Sequence, residues 1–211
     1  APVEVGLLNY HWGFDVVVEG NYAYVAQFNR LAVIDVTDPS TPVEVGEFLG
    51  ARSGPFAVAG NYAYMLDTNY DILRVIDVST PSAPVEVGSL DNDRWPSGVA
   101  AEGNYAYLAA GYAGLRVIDV STPSAPVEVN SLNTPGYARG VTVAGGYAYV
   151  ADFDAGLRII ELESCDDDLD GVPNATEQAA PNGGDGNGDG IPDDEQAEVA
   201  SIPDLGGSDY V

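Results

Sequence analysis

The sequence predicts an all-β protein: a four-bladed β-propeller with four strands per blade, followed by an irregular acidic C-terminal tail. Three observations predict it. Gly and Pro are plentiful, at 25 and 14 of 211 residues, and Tyr and Val crowd into short runs, as in chains of short strands joined by turns. The pentapeptide GNYAY stands at 20–24, 60–64 and 103–107 and GGYAY at 145–149, so a unit of about forty residues occurs four times. Each unit divides into four apolar runs separated by turn residues.

The first strand of a unit, A, is read at 16–18 and again at 140–143, and a Gly-containing turn leads into strand B. Strand B, as in Tyr105, Ala106, Tyr107 and Leu108, sets a bulky face against a slimmer one. Strand C reads LAVIDV, LRVIDV, LRVIDV and LRIIEL in the four copies, apolar on both faces, which predicts cover from both sides. The turn STPSA follows, and PVEV forms strand D. Its leading Pro and outward Glu suit an edge strand that must resist stray pairing. Sheets that bury both broad faces and expose one edge are propeller blades. A linear solenoid is the rival arrangement, but it gives no reason for a fourth unit that lacks strand D.

That missing strand has a counterpart at the other end. The chain opens with APVEVG, the close of a unit whose start is not present, while the fourth unit runs through LRIIELES without a PVEV. Pro2, Val3, Glu4 and Val5 are therefore expected to complete the last blade, either in their own ring or in a neighbouring molecule. The second option gives a dimer or, where the rotation does not close, a fibre.

The stretch GNYAYLAAGYAGLRVIDVSTPSAPVEV resembles the LVIVD repeat of bacterial and archaeal extracellular proteins, and the resemblance covers residues 1–162. It implies β-propeller blades and a secreted or cell-surface location. It also implies a role in surface display, adhesion or scaffolding, with no common set of catalytic residues. Relatives usually carry more repeats, which leaves room for a ring completed by another chain.

Charge divides the chain in two. The formal net charge is −26; 19 acids and all seven Arg lie in 1–162, and 14 acids with no base lie in 163–211. Such a polyanion is repelled by nucleic acid and by anionic lipid, and cations are its natural partners. No apolar stretch approaches the roughly 20 residues that span a bilayer. No basic, apolar leader is present, so any secretion signal is expected to be removed or to lie outside this sequence. Cys165 is the one cysteine, which excludes an intrachain disulfide.

Two twelve-residue loops in the tail carry the spacing of a calcium site, in which alternating oxygens converge on a hard cation. DDDLDGVPNATE places Asp166, Asp168, Asp170, the Val172 carbonyl, Asn174 and Glu177 at the ligand positions, with Gly171 at the sharp turn. DGNGDGIPDDEQ repeats the pattern with Asp185, Asn187, Asp189, the Ile191 carbonyl, Asp193 and Gln196. Glu195 is available beside Gln196, where the first loop has Glu. Residues 165–204 resemble thrombospondin type 3 repeats, and PNGGDGNGDGIPD is similar to calcium linkers that precede anchoring domains in bacterial surface proteins. Calcium (Ca2+) is the expected cofactor, with affinity on the order of 10⁻⁴ to 10⁻³ M as in other extracellular modules. A solvated, disordered acidic run is the plainer alternative, but it does not require Gly at the sixth loop position twice. Asn174, Ala175 and Thr176 also form a glycosylation sequon, in competition with the metal role of Asn174.

Equipment for catalysis is sparse. His11 is the single histidine, and no Ser or Cys stands in a motif that activates a nucleophile. Asp35, Asp77, Asp119 and Glu161 recur before the C–D turn and are read as turn hydrogen-bond acceptors. Arg74, Arg116 and Arg158 are read as ties from blade to blade through those acids. Aligned on the GNYAY turn, Trp12, Arg52, Trp95 and Tyr137 fall in one column of loops and Phe28, Tyr70, Tyr112 and Phe153 in another. Both loop sets emerge on one face of a propeller. The side chains there form either a platform for a glycan or partner protein or simply a roof of packed aromatics. The sequence thus leads to an extracellular structural protein that self-associates into an oligomer or fibre. A surface adhesin using the aromatic face is the second reading.

Overall fold

The computed structural model describes residues 1–9, 13–50, 54–67, 71–91 and 96–162. The tail with both candidate calcium loops, and Trp12, Arg52, Tyr70 and Trp95, lie outside the described residues. Fifteen strands are built in chain order. Blade 1 comprises β1 (Gly13–Glu19), β2 (Tyr22–Gln27), β3 (Arg30–Asp35) and β4 (Val43–Leu49). Blade 2 comprises β5 (Phe56–Ala59), β6 (Tyr62–Asp67), β7 (Ile72–Asp77) and β8 (Val85–Asp91). Blade 3 comprises β9 (Gly98–Glu102), β10 (Tyr105–Ala109), β11 (Leu115–Asp119) and β12 (Val127–Leu132). Blade 4 has β13 (Gly140–Ala144), β14 (Tyr147–Ala151) and β15 (Leu157–Glu161), with a short 3₁₀ turn at Phe153–Ala155. Every sheet is an antiparallel up-and-down meander, and the first strands β1, β5, β9 and β13 lie against one another in sequence.

The repeated turns explain the repeated sheets. Glu19 pairs with Tyr22, so Gly20 and Asn21 form a two-residue loop, and Gly20 takes φ 58° as a hairpin turn with Gly in first place requires. The Asn carbonyls then accept from the far end of strand C: Val36 N–H donates to Asn21 O at 2.9 Å, Val78 to Asn61 at 2.8 Å and Val120 to Asn104 at 2.8 Å. Beyond strand C, Asp35, Asp77 and Asp119 accept the N–H groups of Thr37, Ser79 and Ser121 at 2.8, 2.8 and 2.7 Å. These are the turn contacts expected of them.

A feature that no residue type announces lies between strands C and D. In blade 2, Val75 pairs with Gly88 but Ile76 pairs with Glu86, leaving Val87 as an extra, bulged residue. Val45 and Val129 hold the same place in blades 1 and 3. The bulge turns Val45 and Val87 toward the cores between blades.

Those cores confirm strand C as the two-faced strand. Ile76 joins Tyr24, Leu31 and Val33 of blade 1 around Met65, while Leu73 and Val75 face Ala106, Leu108 and Ile118 of blade 3. Outer strands dock by close backbone approach. A Cβ on Gly46 would collide with the Pro81 carbonyl of the next blade, and one on Gly88 with that of Pro123. Only glycine fits at such a contact.

The ends of the array bear on the two placements expected for the N-terminal strand, its own ring or a neighbouring molecule. Residues 1–9 belong to no strand, and among the described residues the fourth sheet has three. Pro2, Val3, Glu4 and Val5 therefore do not pair with β15 of their own chain, and Val3 is 78% exposed. No local residue decides such closure. It depends on the angle accumulated over three blade-to-blade packings.

Candidate interaction surfaces

The two terminal blades expose the complementary halves of an interblade core. Phe56 and Val58 of β5 pack toward blade 1; Val16 and Val18 of β1 hold their places in blade 1 and are 60% and 61% exposed. Leu73 and Val75 of β7 pack toward blade 3; Leu157 and Ile159 of β15 hold their places and are 62% and 61% exposed. Phe14, in the bulge at the start of β1, is exposed as well. Val16 with Val18, and Leu157 with Ile159, are each aligned on one sheet face rather than scattered.

Arginines organise each blade internally. Arg74 donates to Glu86 of strand D at 2.7 Å and to Asp67 of strand B at 2.9 Å. Burial opposes its charge, but Glu86 and Asp67 outweigh it and hold its pKa above the ordinary guanidinium value. Arg116 reaches Glu128 at 3.5 Å and the Asn133 side chain at 3.1 Å. Arg30 serves blade 1 from a different position, reaching Glu44 at 2.7 Å and Glu47 at 2.6 Å. This corrects the expected blade-to-blade ties to Asp35, Asp77 and Asp119: the arginines bind acids within their own blade. Two signals for the true partners were present in the sequence, the Glu of every PVEV and the acid that ends strand B at Asp67 or directly follows it at Asp152.

The aromatic columns are brought together in part. Gly111 and Ala138 exchange backbone hydrogen bonds of 3.1 and 3.0 Å, which carries Tyr112 to Tyr137, ring centroids 4.9 Å apart and edge to face. Arg139 lies 5.5 Å from the Tyr137 centroid and 4.7 Å from that of Phe153. Phe153 is placed by a left-handed backbone, φ 46°, rare for a bulky residue. Beneath it the buried Asp152 accepts from the Thr134 hydroxyl at 2.6 Å and from the Gly136 N–H at 2.9 Å, which fixes the loop that carries Tyr137. Arg139 was not singled out by the sequence, since it recurs in no other unit. Phe28 lines a shallow pocket with Gln27, Asn29, Arg30 and Leu49.

Among the described residues no cluster of three or more metal-ligating side chains occurs, and no helix is long and apolar enough to cross a membrane. The candidate ligands Asp166, Asp168, Asp170, Asn174, Glu177, Asp185, Asn187, Asp189, Asp193 and Gln196 lie outside them.

Successive four-stranded meanders with docked inner strands define a β-propeller protein. The chain belongs to the LVIVD repeat family, matching it over residues 14–49, 53–92, 95–134 and 135–162. Among solved structures, BamB from Moraxella catarrhalis is similar at 15% identity and TM-score 0.56, over 68% of this chain and 42% of its own. The computationally designed Ika4 protein is similar at 12% identity and TM-score 0.62, over 77% of this chain and 99% of its own. The computationally designed Ika8 protein is similar at 12% identity and TM-score 0.55, over 69% of this chain and 44% of its own. These identities establish likeness of fold. The chain spans less than half the length of BamB and of Ika8. No curated protein matches it.

Proposed function

We propose that this chain is a non-catalytic structural module of an extracellular or cell-surface protein, and that its activity is self-association into an oligomer or fibre. One observation supports this above the rest: blade 1 and blade 4 leave open opposite halves of the same interblade core, Val16 and Val18 on one and Leu157 and Ile159 on the other. Two such halves are complementary rather than alike, so the contact is head to tail and propagates or closes according to its rotation. Residues 163–211 are then a calcium-stiffened connector. Sedimentation velocity across a concentration series, with negative-stain imaging, tests the reading. Concentration-dependent oligomers or filaments are expected, and single copies at every concentration overturn it.

The patch of Tyr112, Tyr137, Arg139 and Phe153 favours a second reading, an adhesin that stacks a glycan or a partner's apolar surface on the aromatic face. Glycan-array binding lost in Tyr112→Ala and Phe153→Ala is its expected signature. Binding unchanged in both variants counts against it.

A further inference from the structure

We infer that residues 2–6 of one copy form the fourth strand of blade 4 in a second copy, with Glu4 of the donor meeting Arg158 of the acceptor. The inference rests on the self-association reading above and specifies its interface. Arg74, Arg116 and Arg158 hold the same place in strand C, three residues before Asp77, Asp119 and Glu161. The first two reach a strand-D glutamate, Glu86 and Glu128. Arg158 finds only Asp152, at 3.6 Å, among the described residues. Its side chain is 42% exposed, against 17% for Arg74 and 5% for Arg116. The difference accords with a blade that has no strand D among the described residues.

The donor strand is already placed for delivery. A Cβ on Gly6 would collide with the Pro39 carbonyl of blade 1, as one on Gly46 would with Pro81 and one on Gly88 with Pro123. Gly6 is thus seated on blade 1 as the outer strand of a preceding blade is seated on its successor, yet residues 1–9 belong to no strand. Val3, Glu4 and Val5 project into solvent.

Register follows from the other blades. Asp77 pairs with Val85, Ile76 with Glu86 and Val75 with Gly88. The equivalent pairs are Glu161 with Val3, Ile160 with Glu4 and Ile159 with Gly6, leaving Val5 as the bulged residue. Because Gly6 is anchored to the donor's blade 1, strand addition and face packing are a single event. The acceptor's Leu157 and Ile159 arrive on the donor's Val16 and Val18. Backbone pairing supplies affinity and the ion pair selects register.

Full-length protein in a Cys165→Ser background tests this. Val3→Cys in one tagged copy and Glu161→Cys in another should form a disulfide between copies on mild oxidation. Both cysteines on one dilute chain closing instead within that chain would overturn donation between copies. Glu4→Arg and Arg158→Glu should each weaken self-association at least about tenfold, since like charges then oppose one another, and the two together should restore it. Self-association untouched by either charge reversal would sink the strand assignment while leaving the module self-associating. Single copies throughout, in the unaltered protein as well, would sink both.

Discussion

Arg74 shows how much one side chain carries in a blade of this size. It neutralises Asp67, whose carboxylate is fully buried, and bridges to Glu86 on the outer strand. Removing it takes this cation away from a buried carboxylate, so Arg74→Ala is expected to cost about 3 kcal/mol by urea denaturation. Combining it with Asp67→Ala should cost less than the sum of the two single changes. Acid sensitivity belongs to the same scale. Hydrogen bonds from the Thr37 side chain and backbone hold Asp35 below the ordinary carboxylate range, and Ser79 does the same for Asp77. A depressed folded-state pKa contributes stability that is whole above the unfolded value, about 3.9, and is lost as pH falls through the folded value. The urea midpoint should therefore stay level from pH 7 to about 5 and fall below about 4. Asp77→Asn should flatten that fall, and an unaltered slope would remove the turn from the explanation.

Among elements, strand C makes the clearest contrast, because one sequence pattern meets two surroundings. Leu73 is fully buried between blades 2 and 3, whereas Leu157, its equivalent in β15, is exposed. Leu73→Ala should cost about 2–5 kcal/mol. Leu157→Ala should cost well under 1 kcal/mol in single copies and act on self-association instead. Equal losses of stability would mean that the face of blade 4 is covered. Strand positions and hairpins were legible here because Gly20, Gly60 and Gly103 and the apolar periods repeat in step. The bulges at Val45, Val87 and Val129 were not, since a slip of register changes pairing without changing residue type. Arg74 and Arg116 were assigned the wrong acids for a related reason. Ties to acids of a neighbouring blade were expected, but strand pairing within the blade brings Glu86 and Glu128 to them instead.

For the whole molecule, four blades and their order follow from the repeat, while the fate of residues 2–5 depends on an accumulated angle that no residue encodes. Of the aromatic face, Tyr112, Tyr137 and Phe153 were legible as columns, and Arg139, which lies against two of them, was not. The calcium connector proposed for the acidic tail carries a prediction at this scale. Fourteen acids without a base in 163–211 repel one another unless a cation neutralises them. With millimolar calcium the tail should resist limited proteolysis, and EDTA should open it to cleavage while the β-sheet circular dichroism of the blades persists. Equal resistance with and without EDTA would argue against the calcium loops.

Asn130 pairs with Val117 where the two earlier outer strands have glycine. The fourth repeat runs from Glu161 into Leu, Glu, Ser and Cys, so no proline stands where Pro81 and Pro123 press on their glycines. The third outer strand thus carries a side chain where the two earlier ones have none. Modular lengthening is blocked as a result: splicing a copy of the second repeat in after blade 3 would drive its proline turn into Asn130. Anyone enlarging this array must first restore glycine at 130.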